Sequence, residues 1–328
     1  MATIETTFLG LALQSPIIVG SSSLTGQART IAELAEAGAG AVVLKSLFEE
    51  QILNEAAREA DRGGVVYGHD DLDGFVSYYT KKHSISEYIG LIKASKAASP
   101  IPVIASINAI SNGEWKSIAS EIAAAGADAL QLNLFVNPFD ENRSADQLAA
   151  LYTDIVRSVK AVCSIPLAAK IGPYFTAIPR MVSALAQAGA DSVVLFNRYQ
   201  SPDIDIDKLA FHTAPAISSA GEYVQALRWV SLVSGSAGVP VIGATGIHDD
   251  QALIKMLLAG SPAVEVVSTV LRNGHKQIGA MNKGLSDWMD AHGYTSIAAF
   301  RGAMAGKAPA DRASLERFQY IKTFGDAN

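Results

Sequence analysis

Lysine and amide side chains end several apolar segments of this 328-residue sequence. Lys45 lies near the end of AVVLKS and Lys170 near the end of PLAAKIG, while Asn108, Asn133 and Asn197 end three further segments. A single lysine at such a position is explained by contact with solvent. Because lysine is almost never fully buried without a partner, two lysines together with three amides instead favour a site for a planar, oxygen-rich and partly anionic ligand.

A second group of residues has the chemistry of a phosphate site. GATGI (243–247) and VVST (266–269) follow the last two apolar strands of the chain. Glycine allows a backbone to approach an anion closely, and hydroxyl groups and backbone N–H groups donate hydrogen bonds to it. The alternative is ordinary turn chemistry at the ends of two strands. The residues concerned are Thr245, Gly246, Ser268 and Thr269.

Apolar strands alternate with helical patterns along the chain, and four of the helices run into a glycine C-cap. The predicted strands cover 16–22, 41–46, 102–108, 129–134, 166–172, 192–197, 240–246 and 263–268. The predicted helices lie near 27–38, 85–97, 114–125, 144–162, 177–188, 222–236, 249–259 and 274–291. Eight such units predict an α/β fold, a (β/α)8 TIM barrel. An open doubly wound sheet is the alternative, but the first strand lacks its GxGxxG signature.

In a barrel of this type the active site lies at the C-terminal ends of the strands. Side chains alternate between the two faces of a strand. The leucines of ALQLNL are expected to face the helices, which turns Gln131 and Asn133 inward. The same alternation predicts that Lys170 and Lys45 point inward. The lysines and amides therefore converge over the barrel mouth.

Three segments lie outside the repeat. Residues 3–14 are predicted to form an N-terminal hairpin that caps the barrel bottom, and long loops follow strands 2 and 6 at 47–84 and 198–221. Long loops at the active-site end of a barrel usually serve function. Because no low-complexity linker interrupts the sequence, residues 1–328 are expected to form a single domain.

Composition excludes several classes of function. The formal net charge is −6, with 49% apolar residues, which argues against nucleic acid or an anionic membrane as the main partner. No apolar run is long enough to span a membrane, and a cytoplasmic protein is expected. A lone cysteine, Cys163, excludes intrachain disulfides and CxxC zinc clusters. His69, Asp70 and Asp71 are interpreted as a solvated loop, and no metal is expected.

Taken together, these motifs resemble the dihydroorotate dehydrogenases, which are flavin-dependent (β/α)8 barrels. The resemblance runs from FLGLALQSPIIVGSSS through GAVVLKS, GADALQLNL, IPLAAKIGPYF and PVIGATGI to HGYTSIAAFRG. It implies FMN across the barrel mouth, with the phosphate at Thr245, Gly246, Ser268 and Thr269. The flavin ring would lie near Ser21, Lys45, Ser46, Asn133 and Lys170, and Ser219 would replace another glycine on the phosphate side.

The resemblance also implies roles for these residues. Lys170 would stabilise the negative charge of the reduced flavin. Lys45 would lie between the flavin and a substrate carboxylate, with Asn133 and Asn197 also binding substrate. The implied reaction is the oxidation of dihydroorotate or a related dihydropyrimidine in pyrimidine biosynthesis. The chain resembles the soluble class 1 enzymes, because it begins at the hairpin without membrane-associating helices, and a homodimer is expected.

Two departures from the family pattern concern substrate chemistry. Val136 occupies the position of the family's proton-accepting cysteine or serine and cannot accept a proton, which leaves Asp140 as the nearest titratable side chain in that loop. The family's substrate-binding asparagine motif is not found in 67–80. Two other functions therefore remain open: a flavin-binding barrel that has lost dehydrogenase activity, and a non-flavin lyase that uses Lys170 as a Schiff base. The sequence does not identify the electron acceptor.

Overall fold

The computed structural model describes residues 2–48, 85–109, 115–136, 141–198, 202–213 and 217–305, with a few residues near the C-terminus. A short antiparallel hairpin precedes the barrel, formed by β1 (Thr6–Phe8) and β2 (Leu11–Leu13). Phe8, Leu9 and Leu13 are buried against the inward-facing residues at the N-terminal ends of the barrel strands. The predicted hairpin cap at the barrel bottom is therefore confirmed.

Eight parallel strands form the barrel, and three further strands lie in its connections. In chain order they are β3 (Ile17–Val19), β4 (Ala41–Val43), β5 (Leu47–Phe48), β6 (Val103–Ala109), β7 (Ala129–Leu134), β8 (Leu167–Ile171), β9 (Ser192–Leu195), β10 (Pro202–Asp205), β11 (Ala210–Thr213), β12 (Val241–Ala244) and β13 (Val264–Val266). The ring runs β4-β3-β13-β12-β9-β8-β7-β6, and β6 pairs with β4 to close it. This closure confirms the (β/α)8 barrel and makes the open-sheet alternative wrong.

The three strands outside the ring lie in the two long loops. β5 continues beside β6 after the second barrel strand, while β10 and β11 form an antiparallel hairpin after β9. Residues 49–84 of the first long loop, which include His69, Asp70 and Asp71 and the segment 67–80, lie outside the described residues. The second long loop is described for 202–213 and from 217 onward.

Helices cover the outer face of the barrel. They are α1 (Ala28–Glu36), α2 (residues 85–98), α3 (Trp115–Ala124), α4 (Ala145–Lys160), α5 (Ile178–Gln187), α6 (Tyr223–Val233), α7 (Asp250–Leu258), α8 (Ser268–Asn273) and α9 (Lys276–Ala291). Each predicted helical segment contains a helix. The short helix α8 was not expected, because Ser268 and Thr269 were assigned to the end of the last strand. That strand ends at Val266, and the chain enters the helix at once.

Glycine ends the helices where the sequence predicted it. Gly38, Gly126, Gly189 and Gly260 follow α1, α3, α5 and α7 with φ angles of 95°, 93°, 108° and 110°. Side chains with a Cβ rarely adopt this left-handed region, so glycine lets the chain turn sharply from helix into strand. The turns fix the length of each helix and hence the position of the strand that follows.

The core has two layers. Alternate strand residues such as Leu130, Leu132 and Leu134 pack outward against the helices. The inward layer near the bottom consists largely of small residues, including Ala129 and Ala168, and this leaves room for the hairpin side chains. Farther up the same strands, the inward positions carry polar side chains. The fold thus separates an apolar bottom from a polar mouth.

Two aspartates tie strands together at the N-terminal end of the barrel. Asp128, just before β7, accepts hydrogen bonds from the Val103 N–H at 2.7 Å and from Lys96 Nζ. Asp191, just before β9, accepts in the same way from the Leu167 N–H at 2.8 Å and from Lys160 Nζ. Each carboxylate thereby joins the start of its strand to the neighbouring strand and to the helix that precedes that neighbour.

Candidate active site

A cavity of about 800 Å³, the main cavity, opens at the C-terminal ends of the barrel strands. Strand register places its polar side chains in rows. Asn108 on β6 lies opposite Asn133 on β7, and Asn133 lies opposite Lys170 on β8. One layer below, Ser106 lies opposite Gln131. The expected inward direction of Gln131, Asn133 and Lys170 agrees with this arrangement, since all three line the cavity.

Several buried oxygen atoms around this mouth have no hydrogen-bond partner among the described residues. They include Asn108 Oδ1, Gln131 Oε1, Asn133 Oδ1 and Glu265 Oε1. Buried polar atoms in folded proteins are nearly always paired, so a group of unpaired ones requires an explanation. Three of them belong to amide side chains that line one cavity. This arrangement indicates a bound ligand that supplies the missing polar partners.

Three serines that line the main cavity form a hydrogen-bonded row, which begins at Ser106 on β6, beside Gln131. Ser21 Oγ lies 3.0 Å from Ser46 Oγ, which lies 2.8 Å from Ser106 Oγ. The phenol of Tyr88 donates to the Ser106 carbonyl and accepts from the Ser106 N–H. Burial raises the pKa of Tyr88 far above its ordinary value, so the phenol keeps its proton at neutral pH. The row therefore presents fixed hydroxyl groups to a ligand.

Lys170 is held by a buried carboxylate. Its Nζ donates a hydrogen bond to Oε2 of Glu265 on β13, and the two form an ion pair. The Lys170 side chain is 13% exposed and that of Glu265 only 2%. Both residues line a second cavity of about 160 Å³ between the ends of β12 and β13, called here the β12–β13 cavity. The lysine therefore faces both cavities.

The β12–β13 cavity has the features of an anion site. Ser218 is held beside it by hydrogen bonds from its N–H to Ser268 Oγ, from the Gly246 N–H to its Oγ, and by a contact between its Oγ and His248 Nε2. Burial and the charge of Arg272 lower the pKa of His248, which keeps the imidazole neutral at pH 7. Gly246 has a φ of 75°, and a Cβ there would lie 2.2 Å from the Tyr223 nitrogen.

Arg198 connects the cavities. It lines the main cavity, the β12–β13 cavity and a third cavity of about 460 Å³ beside Tyr174. Its Nε donates to Glu222 Oε2 at 2.8 Å. Burial acts to raise the pKa of the Glu222 carboxyl, but the hydrogen bonds from Arg198 and the Ser219 N–H outweigh it, so the pKa lies below its ordinary value. Asn197, beside Arg198, lines all three cavities as well.

Most of the residues predicted for the site line these cavities. Seven of the predicted cofactor residues line one or both of the first two cavities: Ser21, Ser46, Asn133, Lys170, Thr245, Gly246 and Ser268. Thr245 and Gly246 line the β12–β13 cavity, and Thr245 Oγ1 donates to the Phe196 carbonyl. Asn197 is also at the mouth. The structure thus brings together eight residues that are far apart in sequence.

Three predicted residues are placed differently from the others. Lys45 lies beyond the end of β4 at Val43, and its side chain is exposed, whereas Ser46 lines the main cavity. Ser219 is exposed, and its neighbour Ser218 lines the β12–β13 cavity instead. Thr269 is fully buried in α8, where its hydroxyl donates to the His248 carbonyl.

The position of the missing base is partly described. Val136 is 8% exposed and lines a small cavity of about 70 Å³ with Tyr152 and Phe175, whereas its neighbour Phe135 lines the main cavity. The Val136 N–H donates to the Tyr152 hydroxyl. Asp140, the predicted substitute, lies outside the described residues. The apolar side chain at position 136 therefore packs away from the main cavity.

Sequence reasoning missed several residues of the site, among them Arg198, Ser218 and Glu265. Glu265 had a signal that could have revealed it, because a carboxylate interrupts the apolar strand AVEVVS at an inward position. Arg198 and Ser218 lie in an irregular connection, where no periodicity indicates which side chains turn inward. Among the described residues, no helix is long and apolar enough to cross a membrane, and no group of three or more acidic, histidine or cysteine side chains is arranged to hold a metal.

Comparison with known proteins gives one consistent result. The family model described as dihydroorotate dehydrogenase matches residues 3–289. The catalytic subunit of dihydroorotate dehydrogenase B (NAD(+)) from Thermoplasma volcanium is 27% identical over 307 residues, which cover 90% of this chain and 97% of that protein. The corresponding subunit from Methanothermobacter thermautotrophicus is 27% identical over 304 residues, 90% of this chain and 96% of that protein. Dihydroorotate dehydrogenase A (fumarate) from Lacticaseibacillus paracasei is 31% identical over 176 residues, 51% of this chain and 60% of that protein.

Proposed function

Because this chain belongs to the dihydroorotate dehydrogenase family, whose members are oxidoreductases acting on CH–CH groups, we propose that it binds FMN across its barrel mouth and oxidises dihydroorotate or a related dihydropyrimidine. Binding and reaction would both take place in a single barrel domain. The observation that carries the proposal is the row of unpaired amide oxygens beside Lys170 in the main cavity.

The residues of the two cavities fit FMN. The pyrimidine end of a flavin carries carbonyl acceptors and an N–H donor, and the amides of Asn108, Gln131 and Asn133 can pair with both kinds of group. The β12–β13 cavity suits the phosphate, because Gly246 admits no side chain and the hydroxyl groups of Ser268 and Ser218 line the space beside it. Ser21 and Ser46 would contact the ring from the serine row.

FMN, when bound, would supply a hydride acceptor. The protein would contribute Lys170, a fixed ammonium whose charge favours the anionic reduced state and the transition state that leads to it. Asn133 and Asn197 would orient the substrate. Lys45, exposed at the rim of the mouth, would meet a substrate carboxylate as the substrate enters. Asp140 is the proposed proton acceptor.

An absorption spectrum and cofactor analysis of the purified chain test the cofactor. Yellow protein that releases FMN rather than FAD on denaturation is expected, at about one FMN per chain. Lys170→Ala should weaken FMN binding or make the flavin hard to reduce, while the matched variant Lys160→Ala, which removes a lysine at the barrel bottom, should retain wild-type flavin content. Colourless protein that takes up no FMN would contradict the proposal.

Anaerobic mixing of the FMN-loaded protein with dihydroorotate tests the substrate. Bleaching of the flavin band is expected, and Asp140→Asn should slow it about 10²- to 10⁴-fold if Asp140 accepts the proton. Bleaching that is insensitive to this substitution would remove Asp140 from the mechanism. Bound FMN that no dihydropyrimidine bleaches would instead favour the second candidate, a flavin-binding barrel without dehydrogenase activity.

That second candidate is favoured by one observation, the buried valine at the family's base position. The lyase alternative has less support. Lys170 Nζ donates to the Glu265 carboxylate, an arrangement that suits a fixed ammonium rather than a nucleophilic amine.

A further inference from the structure

Glu265 is an unusual residue for its position. It stands in the centre of β13 between two buried valines, and its own exposure is 3%. In the barrel register it lies opposite Ala244 on β12 and Ile18 on β3, so apolar or small residues flank it on both sides. Its Oε2 lies beside Gly20, such that a Cβ added to Gly20 would be 3.3 Å from this oxygen. The carboxylate is thus enclosed by the barrel wall.

Only one oxygen of this carboxylate has a hydrogen-bond partner among the described residues. Oε2 accepts from Lys170 Nζ, whereas Oε1 is buried without a partner among the described residues. A buried carboxylate is costly unless it is paired and hydrogen-bonded, and an ion pair with an unsatisfied oxygen is weak evidence for a purely stabilising role. Replacing a buried ion pair by hydrophobic residues of similar volume often leaves the stability of a protein unchanged or increases it. The pair therefore requires an explanation in terms of the ligand that Lys170 faces.

On the basis of the proposed FMN site, we propose that Glu265 is a positioning residue that fixes the Lys170 ammonium at the cavity wall and offsets its positive charge. With Lys170 alone, the cavity would strongly favour an anionic ligand. With the pair, the net charge at this wall is zero, so the preference of the site for the reduced, anionic flavin over the oxidised, neutral flavin is reduced. Glu265 would thereby lower the reduction potential of the bound FMN.

The structure favours this effect over a purely mechanical one. Glu265 lines the β12–β13 cavity, and its partner Lys170 lines the main cavity as well, so the carboxylate acts on the flavin ring through the lysine that it pairs with. Charges interact more strongly at such buried positions than in water, because the effective dielectric constant is lower. Two lysine–aspartate pairs lie at the opposite end of the barrel strands, and their aspartates each bind a backbone N–H as well. Glu265 has no such structural partner among the described residues.

Dye-equilibrium measurement of the midpoint potential of the FMN-loaded full chain tests the proposal. Glu265→Gln keeps the shape of the side chain and removes its charge. The ratio of the dissociation constants of oxidised and reduced FMN is expected to rise at least tenfold, which corresponds to about 30 mV for a two-electron couple. Asp191→Asn, which removes a lysine-paired carboxylate at the other end of the barrel, should change this ratio less than threefold.

A double-mutant comparison tests whether Glu265 acts through Lys170. In Lys170→Met protein the carboxylate has no counter-charge, and a buried carboxyl without a partner takes up a proton. Adding Glu265→Gln to Lys170→Met should therefore leave the ratio of the dissociation constants of oxidised and reduced FMN within threefold of its value in the single Lys170→Met variant. A further tenfold change in the double variant would contradict an action through Lys170.

Two outcomes overturn the proposal: Glu265→Gln protein whose FMN affinity ratio stays within threefold of wild type, or a ratio that falls. Should Glu265→Gln fail to fold, Glu265→Asp replaces it. This variant keeps the charge but withdraws it by one methylene, and it should raise the ratio by a smaller factor, with an unchanged ratio again overturning the proposal. Wild-type protein that binds no FMN would contradict the proposed function, which is a separate failure.

Discussion

The two ends of the barrel differ in how many of their buried polar groups are paired. One unpaired oxygen among the described residues, Asn282 Oδ1, belongs to an amide that binds the Gly38 carbonyl at the bottom, whereas four lie around the mouth. At the bottom, Asp128 and Asp191 each accept hydrogen bonds from a backbone N–H and a lysine, and Ser192 donates to the Pro240 carbonyl at 2.9 Å. At the mouth, Gln131 Oε1 and Glu265 Oε1 are among several buried oxygens without a partner in the described part of the chain. The same strands run through both ends, so the difference is not one of secondary structure.

This difference separates the residues that hold the fold from those prepared for a ligand. Paired polar groups at the bottom, and the apolar plug formed there by Phe8, Leu9 and Leu13 of the N-terminal hairpin, stabilise the barrel with or without a ligand. Unsatisfied groups at the mouth reduce stability until a ligand supplies their partners. This interpretation predicts that substitutions at the bottom change the stability and spare the ligand. Substitutions at the mouth that introduce no backbone strain should change ligand binding at little cost in stability.

The largest effect on stability is expected at the plug. Phe8 is 2% exposed and packs inside the bottom of the barrel, so Phe8→Ala should lower the free energy of unfolding by about 3–5 kcal/mol. Urea denaturation monitored by circular dichroism measures this loss. The FMN content per folded molecule should not change. Loss of FMN from the folded variant would show that the bottom of the barrel controls the mouth and would break the comparison.

At the mouth, Gly246→Ala is expected to weaken FMN binding, by less than the loss of stability expected for Phe8→Ala. The added Cβ would occupy a φ of 75° and would lie 2.2 Å from the Tyr223 nitrogen and 2.6 Å from the Glu222 carbonyl carbon, so the backbone must move. Strain of this kind costs about 1–3 kcal/mol. Calorimetric titration of the flavin-free protein with FMN should show weaker binding. Gly243→Ala, which meets only the flexible Met256 side chain, is the control and should keep the affinity close to wild type.

The sequence predicted the barrel correctly because each unit carries a local signal. Apolar strands, amphipathic helices and glycine C-caps such as Gly126 recur at regular spacing, and closure follows from having eight units. The inward direction of Gln131 and Asn133 was predictable because β7 is a regular strand over its whole length. Within regular elements, periodicity alone specifies the direction of a side chain.

The site was less predictable where the strands end. Lys45 lies two residues beyond the end of β4, where strand alternation no longer specifies the direction of a side chain, and it is exposed. Ser218 rather than Ser219 lines the β12–β13 cavity, because a one-residue error in an irregular loop changes which side chain turns inward. Glu265 was overlooked since its partner, Lys170, is 95 residues away in sequence. Only the closed barrel brings the two together.

Asp191→Asn is expected to have a modest effect that confirms the role of the bottom. The asparagine can still accept the Leu167 N–H but loses the charge that Lys160 binds. Because both side chains of this pair are about one-third exposed or more, solvent screens their attraction, and the loss of stability should be about 1 kcal/mol. Chemical denaturation of the flavin-free chain measures it. A loss of several kcal/mol would mean that the pair is far more than a surface ion pair.

The smallest change in the free energy of unfolding is expected for Gln131→Met, and the direction of this change tests the comparison most directly. Gln131 is 1% exposed and its Oε1 has no partner among the residues that the structure describes, so an apolar side chain of similar volume removes an unsatisfied group from the barrel wall. The flavin-free protein should be equally stable or up to about 1 kcal/mol more stable, while its affinity for FMN falls. Ser192→Ala is the matched control at the bottom, because it removes a buried side-chain oxygen that does have a partner, and it should cost about 1 kcal/mol with no change in affinity. Paired urea denaturation and FMN titration of both variants measure the two quantities. If Gln131→Met instead destabilises the flavin-free protein as Ser192→Ala does, the amides at the mouth already stabilise the fold without a ligand, and the contrast between the two ends of the barrel does not hold.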